Sequence, residues 1–263
     1  MSYKWNPEEY RISSSNQKRW GQELLSKIDF KGDEKVLDIG CGDGEITALI
    51  AQRVPKGFVV GIDSSKDMIN MAKKNFLSKE YPNLSFLVKD VREITFEKEF
   101  DIVFSNACLH WVIDHLSVLK RIKTSLKPSG KIFFQMGGKG NAEEIIKVLE
   151  NIIRQPKWSK FFKNFSFPYG FYSPKEYSKW LKIAGFKPKR IELLTKDMIH
   201  QDEKTFASWL LSTWLPYLQR IPENNREEFI SEVIKRYLEK HPQDKNGCIH
   251  VQMVRLEVEA EIH

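Results

Sequence analysis

The segment Val36-Leu37-Asp38-Ile39-Gly40-Cys41-Gly42-Asp43-Gly44 joins a short apolar run to a glycine-rich turn, and an amphipathic stretch follows it. Glycines at 40 and 42 tolerate positive φ and let the backbone come close to a bound molecule. Two more acids end apolar runs: Asp63 after Val59-Val60-Gly61-Ile62, and Asp90 after Phe86-Leu87-Val88-Lys89. If these runs are adjacent parallel strands, their carboxyl ends open on one crevice and the three acids converge on one ligand. Asp63 can then accept both hydroxyls of a ribose, and Asp90 can accept from an adenine amino group while the Val91 amide donates to the ring. Farther on, Leu109-His110-Trp111 follows a fourth apolar run. His110 there can polarise or hydrogen-bond an acceptor, serve as its general base, or be a satisfied structural histidine. Trp111 offers a wall and an indole N–H donor, and His115 reads as a helix-start residue.

Charge separates two nucleotide-like ligands for the crevice. A dinucleotide would seat its pyrophosphate at the helix N-terminus after the glycine turn. The G-x-G-x-x-G pattern needs glycine at 45, where Glu45 stands. Asp38, Asp43 and Glu45 also surround that spot, and a carboxylate ~4 Å from a phosphate charge costs about 4 kcal/mol at an effective dielectric near 20. S-adenosylmethionine has no phosphate, and its ammonium and sulfonium are stabilised by acids. The crevice suits that cation.

The elements that must position these residues follow a βα rhythm. The pattern predicts strands over Lys35–Ile39, Phe58–Ile62, Leu84–Val88, Phe100–Ser105 and Lys131–Met136, with helices over Glu45–Arg53, Lys66–Leu77 and His115–Leu126. Lys127-Pro128-Ser129-Gly130 reads as a stop before the fifth strand. Beyond Gly140 a helix is expected over Ala142–Ile153, loop or cap over Lys157–Tyr172, and a helix from Ser173-Pro174-Lys175-Glu176 to Ala184, closed by Gly185. A strand over Arg190–Ile199, helices over Glu203–Leu218 and Pro222–Lys240, and a last strand over Ile249–Ile262 complete the reading. The fold class is α/β, a Rossmann-like, seven-stranded, mostly parallel sheet with helices on both faces, its last two strands antiparallel and a helical, aromatic cap built from insertions. We expect one domain over 1–263, with a cofactor-binding half at 30–140, cap helices at 141–186 and 202–242, and late strands at 187–201 and 248–262.

At these residues the chain resembles the class I S-adenosylmethionine-dependent methyltransferases. Asp38-x-Gly40-x-Gly42-x-Gly44 is similar to that family's cofactor loop, Asp63 to its ribose acid, Asp90 to its adenine acid and Lys127-Pro128-Ser129-Gly130 to its turn before strand five. The resemblance implies that Asp38 lies near the methionine moiety, that the Gly40 and Cys41 backbone lines it, and that Gly42, Ser64, Met68, Val91 and Asn106 join the cofactor set. S-adenosylmethionine is then the cofactor and S-adenosylhomocysteine the product. Trp5-Asn6-Pro7-x-x-Tyr10 and Ser105-Asn106-Ala107-x-Leu109-x-Trp111 resemble trans-aconitate methyltransferases. Asn246-Gly247 before a long final strand fits that group too. Tyr10-Arg11-x-Ser13, Gln17-Lys18-Arg19 and Leu109-His110-Trp111 resemble insect juvenile hormone acid methyltransferases. Both groups esterify carboxylates, and the second implies that Gln17 and Trp111 hold the substrate carboxylate. His110 departs from the glutamine of the trans-aconitate enzymes, and the cap sequence matches neither group closely.

The expected reaction is therefore methyl transfer to a small molecule, first to a carboxylate oxygen, with Gln17, His110 and Trp111 at the reacting end. A hydroxyl, amine or carrier-bound malonyl acceptor is the alternative, and RNA a more distant one, raised by the net charge of +7 and the aromatic-basic stretch Lys157–Lys163. Ser105-Asn106-Ala107-Cys108 lacks the Pro-Pro-aromatic motif of amino-nitrogen methylation, and no Pro-Cys nucleophile occurs. Cys41, Cys108 and Cys248 form no C-x-x-C pair, so neither zinc nor a disulfide framework is expected, and no metal is assigned. The aromatics Trp158, Phe161, Phe162, Phe165, Phe171, Tyr172, Trp209 and Trp214 are expected to divide between core and an apolar acyl- or isoprenoid-sized pocket. With no membrane-spanning apolar run and no apolar leader after Met1, a cytoplasmic monomer or weak dimer is the expectation, with no membrane partner and nucleic acid disfavoured.

Overall fold

The computed structural model describes residues 15–263. Its elements are α1 (Ser15–Leu25), β1 (Lys35–Ile39), α2 (Glu45–Arg53), β2 (Phe58–Asp63), α3 (Lys66–Asn75), β3 (Leu84–Val88), β4 (Phe100–Asn106), α4 (His115–Ser125), β5 (Leu126–Gly137), α5 (Glu143–Ile153), α6 (Pro156–Ser159), α7 (Pro174–Ala184), β6 (Phe186–His200), α8 (Glu203–Thr213), α9 (Leu215–Leu218), α10 (Glu223–Leu238) and β7 (Ile249–Ile262). The seven strands form one sheet in the order β3-β2-β1-β4-β5-β7-β6. β1 through β5 pair in parallel, and β7 runs antiparallel to both β5 and β6. Strand order reverses between β1 and β4, and the crevice at such a switch point lies beyond the strands' carboxyl ends.

Two buried clusters follow from the sheet's two faces. Val36, Ile50, Val59, Ile69 and Phe104 belong to one, and Leu37, Ile62, Val103, Ile122 and Phe134 to the other. This is the alternation expected of strands covered on both sides. A third cluster gathers the late helices, with Leu149, Trp158, Phe206, Trp209, Phe229 and Val233 around Met198, Ile249, Val251 and Met253. Its floor is a two-stranded ribbon. β5 pairs with β7 only over Arg255–Glu261, whereas β6 continues along β7 as far as His200 opposite Ile249. The first half of β7 thus runs past the sheet and carries the cap.

Local signals explain most boundaries. Ser173 and Glu176 form a reciprocal capping box at the start of α7, Pro174 sits in its first turn, and Gly185 ends it at φ +84°. Two stretches differ from the sequence reading. The helix expected over Glu203–Leu218 breaks at Trp214, because Pro216 has no N–H for the Ser212 carbonyl and is tolerated only in the first turn of a new helix. Lys127–Gly130 lies within β5, not before it: Phe100 pairs with Leu126 and Ile102 with Lys131, so four residues bulge out, with Ser129 at φ +64°. The stretch expected as loop or cap over Lys157–Tyr172 is mostly irregular, its one helix being the short α6.

Candidate active site

The glycine turn after β1 is held by its neighbour strand. The Gly40 and Cys41 amides both donate to the Ile62 carbonyl, at 2.8 and 3.0 Å. Gly40 has φ +74°, and a Cβ there would lie 2.2 Å from Cys108 Sγ, so glycine is needed on both counts. The Gly42 amide donates to Asp63 Oδ2 at 3.1 Å, and the Ser65 amide donates to Oδ1 at 2.8 Å. Asp63 is thereby aimed across the tips of β1 and β2, and each oxygen keeps a lone pair for a ligand hydroxyl.

Asp38 is buried on β1, where Thr47 Oγ1 donates to Oδ2 at 2.7 Å. Burial pushes its carboxyl up to about 7; the Thr47 hydrogen bond pulls it down and the nearby Asp63 raises it further. Burial also raises Asp63, against the hydrogen bonds from Ser65 and Gly42. A cation entering between these acids would favour the ionised form of each.

The helix α1 lies over this turn. Gly21 lets it approach: a Cβ there would meet Asn106 Nδ2 at 2.8 Å. Asn106 Nδ2 donates to the Gln17 carbonyl at 2.9 Å. Lys18 Nζ pairs with Asp43 at 3.0 Å and with Glu45 at 2.6 Å. Two of the acids read from the sequence as facing a cationic ligand therefore already face Lys18, while Asp38 accepts from Thr47 and Asp63 from the Gly42 and Ser65 amides.

Two cavities meet at α1. The first is lined by Asp38, Gly40–Asp43, Ile46, Phe104, Asn106, Gln17 and Lys18. The second is lined chiefly by aromatic side chains, including Trp20, Trp111, Tyr169, Phe171, Trp209 and Trp214, with His110, Asn141 and Arg255. Gln17 lines both. His110 accepts a long hydrogen bond from the Gly137 amide on Nδ1, at 3.5 Å. Burial, with Arg255 and His115 adding to it, holds the imidazole well below its usual range. It is neutral at pH 7, with the proton on Nε2 as the tautomer that Gly137 favours.

The methyltransferase-domain family matches residues 30–185 of the chain. The chain belongs to the class I S-adenosylmethionine-dependent methyltransferases. It is 28% identical over 259 residues to trans-aconitate 2-methyltransferase of Shigella flexneri, covering 96% of each protein. It is also 28% identical over 233 residues to a protein of Invertebrate iridescent virus 6 named as a methyltransferase, covering 89% of this chain and 85% of that one. Among solved structures, the YcgJ protein of Bacillus subtilis superposes with a TM-score of 0.64 at 15% identity, over 94% of this chain and 99% of that one, which bears on fold alone.

In this methyltransferase Asp38, Gly40, Cys41, Gly42 and Asn106 line the first cavity, and Gln17, His110 and Trp111 line the second. Asp63 adjoins the first through Gly42. Ser64 is exposed and Met68 buried beside it at the start of α3. Asp90 caps the short 3-10 turn Val91–Glu93, and its carboxylate accepts from the Arg92 amide and guanidinium, which keeps it below the ordinary carboxylate range. Val91 is buried. His115 opens α4 and is buried against Tyr177, 2.7 Å from its hydroxyl. Trp5, Asn6, Pro7, Tyr10, Arg11 and Ser13 lie outside the described residues. Phe171, Trp209 and Trp214 reach the second cavity, whereas Trp158 and Phe162 are core. Sequence reasoning missed Trp20, Asn141, Tyr169, Met253 and Arg255 as cavity residues. They come from four separate segments, and only the β5–β7 register, which sets Gly137 opposite Arg255, brings the last of them beside His110. Among the described residues no cluster of His, Cys, Asp or Glu could hold a metal, and no helix is long and apolar enough to cross a membrane.

Proposed function

We propose that this methyltransferase esterifies a carboxylate of a small organic acid. When bound, the cofactor supplies an electrophilic methyl group on a sulfonium. Asp63 fits its ribose hydroxyls, Asp38 and the Gly40–Gly42 backbone its methionine portion, and Asp90 with Val91 its adenine. The fit rests on Asp38, whose burial leaves its charge uncompensated until a cation arrives.

The observation that carries the acceptor reading is Gln17, shared by the two cavities and backed by a neutral histidine. A carboxylate is ionised at pH 7 and needs no base. The residues therefore have to hold it in line with the methyl group, and that positioning can be worth roughly 7–11 kcal/mol. Gln17, Trp111 and His110 Nε2–H are neutral donors suited to fixing one carboxylate oxygen while the other attacks. A histidine held so far below its normal range is a weak base, which favours an acceptor that needs none. The acid in the name of the Shigella flexneri relative supports the same chemistry.

The test is methyl transfer from labelled S-adenosylmethionine to panels of carboxylic acids, phenols, amines and RNA. Label appearing in base-labile product from acids alone is expected. Base-stable product from amines or RNA would overturn the reading.

A further inference from the structure

Residues 169–172 follow a period of two. Tyr169 and Phe171 line the second cavity, while Gly170 and Tyr172 bond to the loop that follows β4. The Gly170 amide donates to the His110 carbonyl at 2.8 Å, and the Tyr172 hydroxyl donates to the Ile113 carbonyl at 2.6 Å. These two bonds bracket the segment that carries His110 and Trp111. Gly170 lies so close to it that a Cβ there would sit 2.6 Å from the Val112 carbonyl oxygen.

The same four residues hold the end of β5. Tyr172 forms a parallel bridge with Gly138, and its carbonyl accepts from the Lys139 amide at 3.0 Å. Phe171 packs on Gly137, where a Cβ would meet its ring at 2.5 Å. Gly137 is also the residue whose amide reaches His110 Nδ1. Residues 169–172 thus tie the loop that carries the imidazole to the strand end that donates to it.

That alignment has little slack. The Gly137 bond is 3.5 Å long, at the outer edge of hydrogen-bonding range, so a small slip between loop and strand would end it. Tyr172 bonds to both partners, through its hydroxyl to the loop and through its main chain to the strand. Its ring is braced edge-on by His115 and Trp180, with centroids 4.8 and 4.6 Å away. It is not among the residues that line either cavity.

We propose that Tyr172 is a positioning residue for methyl transfer: it keeps the His110–Trp111 segment in register with the end of β5, and so holds His110 in the tautomer that donates from Nε2. The proposal rests on the reading that places His110 and Trp111 at the reacting end.

Tyr172→Phe tests it by removing the hydroxyl while keeping ring and main chain. The variant should lose about five- to tenfold in kcat/KM for the carboxylic acids that the wild type methylates, the scale of one neutral hydrogen bond. Its affinity for S-adenosylhomocysteine, measured by calorimetry, should not change. Imidazole nitrogen NMR at pH 7, with the His110 signals assigned through His110→Gln, should show an unprotonated Nδ1 in the wild type and mixed tautomers in Tyr172→Phe. Gly170→Ala, which pushes on the Val112 carbonyl, should give the same signature more strongly; if it does not fold, Tyr172→Phe decides alone. An unchanged tautomer in Tyr172→Phe, or equal loss on cofactor and acceptor, would overturn the proposal. A changed tautomer combined with wild-type kinetics in His110→Gln would remove His110 from the reacting end and leave Tyr172 as the support of its ring. Impaired His110→Gln beside a Tyr172→Phe variant that matches wild type would do the reverse.

Discussion

The side-chain amide of Asn106, at the tip of β4, donates to the main-chain carbonyl of Gln17 at 2.9 Å. One hydrogen bond therefore fixes the helix that divides the two cavities to the strand that ends between them. Gly21 makes the approach possible, one turn farther along α1. Asn106→Ala should weaken S-adenosylhomocysteine binding and raise the acceptor KM together, with about 1 kcal/mol lost in unfolding. Calorimetry and steady-state kinetics on the variant would reveal whether the two effects travel together; an effect on only one would mean that α1 docks by other contacts.

Asp38 should make cofactor binding proton-linked. Its carboxyl sits near 7 in the free protein, chiefly through burial, and a cationic ligand beside it favours the ionised form. Below about pH 7, binding should release a proton, and affinity should fall by up to roughly tenfold per pH unit. Titrations in buffers of different ionisation enthalpy count the proton directly. Asp38→Asn should abolish the linkage and weaken binding, and an affinity that is flat between pH 5.5 and 8 would contradict the assignment.

Asp63 is already oriented by the Gly42 and Ser65 amides. Asp63→Ala should weaken the cofactor by about 1.5–3 kcal/mol, the usual loss for hydrogen bonds to a charged group. Unchanged affinity would argue against its contact with the ribose.

Gln17→Ala and Trp111→Ala should raise the acceptor KM with little change in S-adenosylhomocysteine affinity. Gln17 is the sharper case, since it lines both cavities. Equal loss on both ligands would move it to the cofactor side.

His200 is buried between Phe206 and Trp209, which holds its imidazole down at about 4. The unfolded chain takes up that proton near 6.5, so the stability that His200 contributes is full above 6.5 and is lost as pH falls toward 4. His115, also held near 4 by burial, acts in the same sense, and Asp38 in the opposite one. The His200→Phe variant isolates one group: its stability relative to wild type should improve steadily from pH 6.5 to 4. A constant difference across that range would mean that His200 is charged in the folded protein.

The cofactor half was readable because its signals are local. Asp38, Gly40 and Gly42 sit within five residues, and the strands that carry Asp63 and Asp90 are short apolar runs with clear turns between them. β7 was read residue for residue, since fourteen residues of near-alternating pattern admit little else. The acceptor chamber was not readable in the same way. Trp20 comes from α1, Tyr169 from an irregular loop, Trp209 from α8 and Arg255 from β7, and nothing in the intervening sequence links them. Arg255 in particular stands in an alternating strand, where a charged residue reads as solvent-facing. It is buried because β7 crosses under the cap at that point. Lys18 escaped for a similar reason: acids around a turn give no sign of a cation arriving from a helix twenty-odd residues upstream.

The β6–β7 ribbon separates two evolutionary freedoms. The residues proposed to hold the methyl donor follow β1, β2, β3 and β4, while α8, α9 and α10 are strung between the two strands of the ribbon and rest on its overhanging half. Residues 201–248 can therefore be exchanged for another insertion without disturbing a single strand pairing of the donor half. A grafted loop between His200 and Ile249 is the natural handle for re-engineering which molecule receives the methyl group.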